Sequence, residues 1–408
     1  MMDMISREIN PENVTSAEII VSIPSYNEGD GIAFPTRKAD EGLVEHFGDK
    51  KAVIINCDNN STDNTQEAFL NTPTETPKIY ISTPEGVKGK GNNFGNLFEK
   101  VLELKAEAVV VVDADLKSIT PQWIKRLGEP LANDFGYVAP LYVRHKYDGT
   151  ITNSIAYPLT RALYGRRVRQ PIGGDFGFSG RLAEIYNQSN TWTEAISQFG
   201  IDIWMTTLAM NSGTPICQAF MGRPKIHKPK DPGSDLGPMF RQVVGTAFEM
   251  MISAVPFWKA VKGSKPTAIF GFGLGEVEMP PPVDVDQGRL YEQYMNGFTE
   301  NLDLWSEALS EEVFHKLEEI RDLNQEKFEF PTQVWVKILY DLAIAYKNKV
   351  GGNPDLLVDS LIPLYFGKTL SFVKKTERMS IQEAEEFIEN EALVFEDTKP
   401  YLVENWPS

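Results

Sequence analysis

From Glu18 to Asp115, short apolar blocks repeatedly end on polar residues, and each block is followed by a stretch with helical spacing. Ile19-Ile20-Val21-Ser22-Ile23-Pro24 predicts a first strand closed by the proline, and Ala52-Val53-Ile54-Ile55-Asn56-Cys57 a second. Lys78-Ile79-Tyr80-Ile81 predicts a short third strand. Val109 to Val112, four β-branched residues in succession, predict a fourth, buried on both faces as in a parallel sheet. Between the second and third lies a polar loop, Asp58-Asn59-Asn60-Ser61-Thr62-Asp63, that leads into a helix carrying Gln66, Ala68, Phe69 and Leu70. Between the third and fourth, Gly86-Val87-Lys88-Gly89-Lys90-Gly91 precedes an amphipathic helix with Phe94, Leu97, Phe98, Val101 and Leu102 on one face. Strands alternating with helices predict an α/β, Rossmann-like, mostly parallel and doubly wound sheet.

Past Asp115 the pattern changes to helices, glycines and irregular pieces up to Gly263. Residues 264–285 are rich in Gly and Pro, including Pro280-Pro281-Pro282, and read as a connector rather than an element. The stretch 286–408 is helical: Leu290, Tyr294, Phe298, Leu302 and Trp305 share a face, as do Val334, Ile338, Leu342 and Tyr346. The expected organisation is a polar leader over 1–17, an α/β domain over 18–263, the connector, and a C-terminal helical extension. The apolar stripes of that extension are core, with Trp335 and Tyr346 also suited to the interface of a homodimer.

Composition narrows the function classes. With 408 residues, 42% hydrophobic and 24% charged, the chain is an ordinary globular one. Its net charge of -17 argues against an extended nucleic-acid surface, so an anionic substrate has to meet a local cationic pocket or a metal. Cys57 and Cys217 form no pattern and read as reduced, buried residues. Residues 1–17 lack the apolar core of a signal peptide, and no run reaches the length of a membrane span, so a cytoplasmic protein is expected.

Candidate chemistry gathers at the strand ends, since ligands of open α/β sheets bind beyond the carboxyl edge. Pro24-Ser25-Tyr26-Asn27-Glu28-Gly29 follows the first strand, and Asp58 the second. Lys88 and Lys90 lie in a glycine-rich loop that can approach a diphosphate, although such a loop also serves as a solvated turn. It is not a P-loop. Asp113 and Asp115 end the fourth strand, two residues apart, and suit one hard cation such as Mg²⁺ or Mn²⁺ shared with a substrate diphosphate. The same spacing occurs in phosphatases and in helix caps, and Asp58 also fits a cap.

Taken in order, Ile-Pro-Ser-Tyr-Asn-Glu, Asp-Asn-Asn-Ser-Thr-Asp, Gly-Lys-Gly and Asp-Ala-Asp resemble a GT-A glycosyltransferase. Arg169-Gln170-Pro171-Ile172-Gly173-Gly174-Asp175, Phe199-Gly200-Ile201-Asp202 and His227 narrow the likeness to the retaining mannosylglycerate synthase and glucosyl-3-phosphoglycerate synthase group. The resemblance implies a GT-A nucleotide-diphospho-sugar transferase fold and a metal-dependent hexosyltransferase. The donor would be a GDP- or UDP-hexose, glucose or mannose, and the acceptor a small hydroxy acid. It implies that Asp115, helped by Asp113, and His227 ligate the cation. Pro24, Tyr26, Glu28, Asp58, Lys90 and Asp113 would bind the nucleotide sugar, with Glu28 and Asp58 on the nucleoside and Lys90 on the diphosphate. Gly173, Gly174 and Asp175 would line the sugar pocket. Asp202 would orient or deprotonate the acceptor hydroxyl.

The chain departs from the pattern at two places. Asp175 replaces the usual glutamate, one methylene shorter. Gly149-Thr150-Ile151-Thr152 stands where phosphoglycerate-using relatives carry Gly-Arg-x-Thr, so Thr150 removes a cation and Thr152 alone remains for the acceptor. An unphosphorylated acceptor such as glycerate follows, giving a compatible-solute glycoside, unless one of Arg161, Arg166, Arg167 and Arg169 restores the charge. Rival readings are a metal-dependent phosphatase with Asp113 as nucleophile, a sugar nucleotidyltransferase, and a sugar-nucleotide-binding protein without turnover. The phosphatase would want a threonine where Lys117 stands, and the nucleotidyltransferase a glycine-rich loop after the first strand. Asp231 to Asp235, rich in Pro, Gly and acids, reads as a loop able to close over nucleotide.

Overall fold

The computed structural model describes residues 5–226, 232–271 and 277–407. The chain divides into two compact units that interleave along the sequence: residues 1–144, 168–230 and 267–280 form one, and 145–167, 231–266 and 281–408 the other.

The first unit holds a nine-stranded sheet. Its strands are β1 (Arg7–Ile9), β2 (Ile19–Ser25), β3 (Ala52–Asp58), β4 (Lys78–Ser82), β5 (Ala108–Val111), β6 (Tyr137–Leu141), β7 (Phe176–Ser179), β8 (Ile216–Phe220) and β9 (Ala268–Phe270). Their order is β1-β4-β3-β2-β5-β7-β6-β8-β9. Pairing is parallel except where β1 meets β4 and where β7 meets β5 and β6. The four strands read from the sequence are present, each within a residue or two of its expected bounds. Pro24 does not close its strand, because Ser25 still pairs with Asp58.

Alternation along the central strands sends side chains to both faces. Val21, Ile23, Ile54, Val110 and Val112 join Ala39, Leu43, Trp123, Ile124 and Leu127 in one core. The helices Ala33–Phe47 and Pro121–Gly128 supply the last five. Ile20, Val109 and Val111 are equally buried and require cover on the opposite face. An aromatic cluster lies among the helices Lys90–Glu103, Gly180–Gln188 and Ile201–Asn211, where Phe98 sits 5.0 Å from Tyr186 and 6.5 Å from Trp204 between ring centroids. Leu102, assigned to the apolar face of the first of these, is exposed. Cys57 and Cys217 are free and buried.

Two stretches read as featureless contribute strands. Arg7–Ile9, inside the polar leader, pairs antiparallel with β4. Ala268–Phe270, inside the Gly/Pro-rich connector, pairs with β8 at the sheet edge. Edge strands need only one partner, so three residues between turns suffice and leave no periodic signal.

The second unit is helical. Lys146 donates to the carbonyls of Thr376, Glu377 and Met379 and so caps the helix Pro354–Thr376. That helix is long and apolar enough to cross a membrane, with mean hydropathy 1.4, but 72% of its apolar window is buried. Trp335 is fully buried and donates to the Ser154 carbonyl at 2.8 Å, which makes it core rather than interface. Arg161, buried, pairs with Glu389 and Glu396 at 2.6 Å each, so it offers no spare charge to an acceptor. A helix starts at Pro232, where the sequence suggested a loop from Asp231 to Asp235; Asp231 lies outside the described residues.

Lys399 gives this unit a pH signature. It donates to the carbonyls of Ala162 and Val261 at 3.0 and 2.7 Å, and burial, reinforced by Lys262, lowers its pKa from 10.5 to about 8. A lysine whose pKa falls on folding costs stability in full below its folded value, where both states are protonated, and the cost fades as pH rises from there towards the unfolded value. Relative to a Lys399→Met variant, wild type should therefore gain stability between about pH 8 and 10.5. Parallel urea titrations across that range check this, and two curves of constant separation would refute it.

Candidate active site

The sheet register brings the strand ends to one edge. Ser25, Asp58 and Ser82 are neighbours across β2, β3 and β4, while Val111, two residues before Asp113, pairs with Phe176, one residue after Asp175. Asp113 and Asp175 meet because β7 runs antiparallel to β5, so the start of one strand lies beside the end of the other. The Asp113 amide donates to Asp175 Oδ1 at 2.9 Å.

Two lysines bind these carboxylates together. Lys225 Nζ lies 2.6 Å from Asp113 Oδ2, 3.0 Å from Asp175 Oδ2 and 2.9 Å from the Gly173 carbonyl. Lys90 Nζ lies 3.2 Å from Asp113 Oδ1 and 3.2 Å from Asp202. Burial disfavours both ammonium groups, but the surrounding carboxylates outweigh it and hold their pKa values above the ordinary range for lysine. Burial raises the carboxyl pKa values of Asp175 and Asp202, opposed by Lys225 and Lys90 respectively. Tyr142 completes the set: its hydroxyl donates to Asp175 Oδ2, its ring centroid lies 5.6 Å from Lys225 Nζ, and its own pKa is raised by burial.

Backbone geometry shapes the site around these groups. Gly174 has φ +89, and a Cβ there would stand 2.7 Å from Lys225 Nζ and 2.8 Å from Asp113 Oδ2. Gly91 lies against the turn before the helix Ile201–Asn211; a Cβ on it would come within 1.9 Å of the Ile196 carbonyl oxygen. The Gly91 amide donates to the Gln198 carbonyl at 3.1 Å, and Gln198 Nε2 donates to the Lys88 carbonyl at 2.8 Å. The lysine loop and the Asp202 turn are thereby one assembly.

The expected residues fall in several places. Lys90, Asp113, Gly173, Gly174, Asp175 and Asp202 converge in the network just described. Asp58 lies beside it on the same edge but deep: it is 1% exposed and accepts from Ser25 at 2.7 Å, Tyr80 at 2.9 Å and the Ser61 amide at 2.7 Å. Pro24 is buried, Tyr26 is exposed with Lys88 Nζ 4.6 Å from its ring centroid, and half-buried Glu28 donates its amide to Thr65. Thr152 belongs to the second unit, buried in a π-helical turn, Thr152–Ala156.

At two of these positions the side chains are engaged within the protein. Asp175 was expected to accept from hexose hydroxyls, yet it is fully buried with both oxygens engaged, so it holds Lys225 and the Asp113 backbone in place. Asp113 was expected to share a cation with Asp115, but its two oxygens face Lys90 and Lys225. Half-buried Asp115 lies in the turn beyond, apart from these ion pairs. Among the described residues no three His, Cys, Asp or Glu side chains are grouped to hold a metal, and His227 lies outside them.

Sequence reasoning missed Lys225, Tyr142 and Gln198. Lys225 stands two residues before His227 among other cations and reads as a solvated charge. Tyr142 follows a strand that the sequence left irregular. Tyr142 directly follows the strand Tyr137–Leu141 and Lys225 comes soon after Ile216–Phe220, and neither strand has the continuous β-branched run that marks β5.

Residues 20–183 match the family model described as Glycosyl transferase family 2. The chain resembles the GT-A glycosyltransferases. Over 150 residues it is 27% identical to mannosylglycerate synthase of Rhodothermus marinus, a stretch that covers 34% of this chain and 36% of that protein. The match thus spans about a third of that relative's length. Similar solved structures include glucosyl-3-phosphoglycerate synthase from Mycobacterium tuberculosis in complex with Mn²⁺, uridine diphosphate and glucosyl-3-phosphoglycerate. That likeness has 24% identity and a TM-score of 0.46, over 57% of this chain and 80% of that one. The same protein with Mg²⁺ and uridine diphosphate gives 23% identity and a TM-score of 0.45, over 57% and 79%.

Removing one partner from a buried ion pair leaves the others uncompensated, typically at a cost of about 3–5 kcal/mol. Lys225→Met should lower stability by about that amount, because Asp113 and Asp175 lose their shared cation. Urea unfolding measures it, and an unchanged midpoint would mean that the carboxylates are held by their other partners.

Proposed function

We propose that this protein is a retaining glycosyltransferase that moves a hexose from a nucleotide diphosphate sugar to a small hydroxy acid. The observation that carries the reading is the convergence of Lys90, Lys225, Asp113 and Asp202 under the Gly173–Gly174 backbone, at the carboxyl edge of a parallel sheet. The family match over residues 20–183 and the partial similarity to mannosylglycerate synthase support it.

In this reading Lys90 meets the donor diphosphate, which the adjoining glycines let approach the backbone. Pro24, Tyr26, Glu28 and Asp58 form the nucleoside end, with Asp58 acting through Ser25, Ser61 and Tyr80. Gly173 and Gly174 bring main chain to the hexose, while Asp175 and Tyr142 fix Lys225 and Asp113 beneath it. Asp202 orients the acceptor hydroxyl. Attack on the face the diphosphate leaves, with that diphosphate taking the proton, gives retention without a covalent enzyme intermediate. A Mg²⁺ or Mn²⁺ held by Asp115, helped by Asp113, and His227 would neutralise charge on the departing diphosphate.

Thr150, in place of an arginine, supports an unphosphorylated acceptor such as glycerate. Arg161, the first of the downstream arginines, is neutralised by Glu389 and Glu396.

A thermal-shift panel of GDP- and UDP-sugars, with and without Mn²⁺, tests the donor. One nucleotide should stabilise the protein in a metal-dependent way, by about 2.7 kcal/mol at a hundredfold excess over Kd. Lys90→Ala should remove that stabilisation. A flat panel would overturn the reading, and phosphate release from sugar phosphates would then be assayed. Where a donor binds, a product screen beginning with glycerate and 3-phosphoglycerate decides the acceptor class.

A further inference from the structure

The ion network is not a ready anion site. Two ammonium groups, Lys90 and Lys225, face three carboxylates, Asp113, Asp175 and Asp202, so a diphosphate approaching it meets an excess of negative charge. Something must give way when the donor enters, and the geometry identifies it. Lys225 is gripped at 2.6, 2.9 and 3.0 Å, by Asp113, a carbonyl and a carboxylate that is itself fully buried and locked by Tyr142 and the Asp113 amide. Lys90 is held more loosely, at 3.2 Å by Asp113, 3.2 Å by Asp202 and 3.5 Å by the Gly174 carbonyl, with the Phe94 ring centroid 5.8 Å away. Asp202 Oδ1, although buried, makes no directed hydrogen bond. Its Oδ2 accepts a 3.2 Å hydrogen bond from Lys90, while Oδ1 meets the same ammonium by charge alone, so half of this contact is open to a better acceptor.

We infer that Asp202 occupies, on Lys90, the place of a donor phosphate oxygen, so that donor binding and the release of Asp202 for the acceptor are one exchange. This rests on the donor reading above. The backbone on both sides stays put, because Gly91 and Lys88 are tied to Gln198 through the 3.1 and 2.8 Å bonds. Only side chains need to turn. Asp202 lies in the first turn of the helix Ile201–Asn211, where the helix N-terminus favours a carboxylate. The exchange also orders the reaction: Asp202 reaches an acceptor hydroxyl only after the diphosphate has replaced it.

The consequence is a substitution that tightens binding. Calorimetric titration with UDP and GDP, each with and without Mn²⁺, compares wild type with Asp202→Asn, Asp202→Ser and Asp202→Glu. The two neutral replacements should bind the preferred diphosphate on the order of tenfold more tightly than wild type. Asp202→Glu, which keeps the charge, should stay close to wild type. The gain should disappear with UMP or GMP, which lack the second phosphate, and in a Lys90→Ala background, where nothing is left to compete for. A folded Asp202→Asn or Asp202→Ser protein that binds no more tightly than wild type overturns the inference and leaves the donor reading standing. Wild type that binds neither diphosphate overturns both.

Discussion

Lys225 places one ammonium between Asp113 and Asp175, where its own side chain is 7% exposed and that of Asp175 is fully buried. Two charges taken this far out of water, with Asp113 24% exposed beside them, cost several kcal/mol each unless they are satisfied, so the arrangement is all or nothing. It also joins three distant parts of the chain: the end of β5, the entry to β7 and the segment after β8. The Gly173–Gly174 backbone is fixed by the same ammonium, and Asp113 passes the constraint on to Lys90. The shape of the site follows from this one contact.

The second unit handles charge in the same way with different parts. Arg161, Lys368 and Lys399 are buried among helices, and each is answered by a carboxylate or by main-chain carbonyls. Lys368 has burial lowering its pKa despite Glu391, whereas Arg161 keeps its charge between two glutamates. Such groups add little net stability compared with apolar packing. What they supply is a penalty on any arrangement that separates them.

Much of this was legible in the sequence. The strands β2 to β5 announce themselves because a buried parallel strand must be continuously apolar and must stop where it reaches a ligand. That Lys90, Asp113 and Asp202 lie at one edge was expected from motif order. The antiparallel β7 was not, since Phe176–Ser179 is too short to show a period, and β1 and β9 have even less to show. Nor could the sequence reveal that residues 145–167 and 231–266 join the helical unit, because contacts between remote segments carry no local signature. Asp175 lies deeper than its place in the motif suggests. Whether a carboxylate opens to a substrate or turns inward to a lysine depends on Lys225, fifty positions further on.

The direction of β7 has a bearing on how this site tolerates change. Parallel strands deliver side chains to the binding edge as they end, so their loops can lengthen beyond the catalytic residue without disturbing what precedes it. β7 delivers Gly173, Gly174 and Asp175 before it begins, with Val111 and Phe176 in register as the anchor. Insertions after Ser179 therefore emerge at the far edge of the sheet and leave the site untouched, while a single residue added between Gln170 and Phe176 moves the glycine pair off Lys225. Variation in what this protein accepts is channelled away from that short segment and into the loops that leave the sheet.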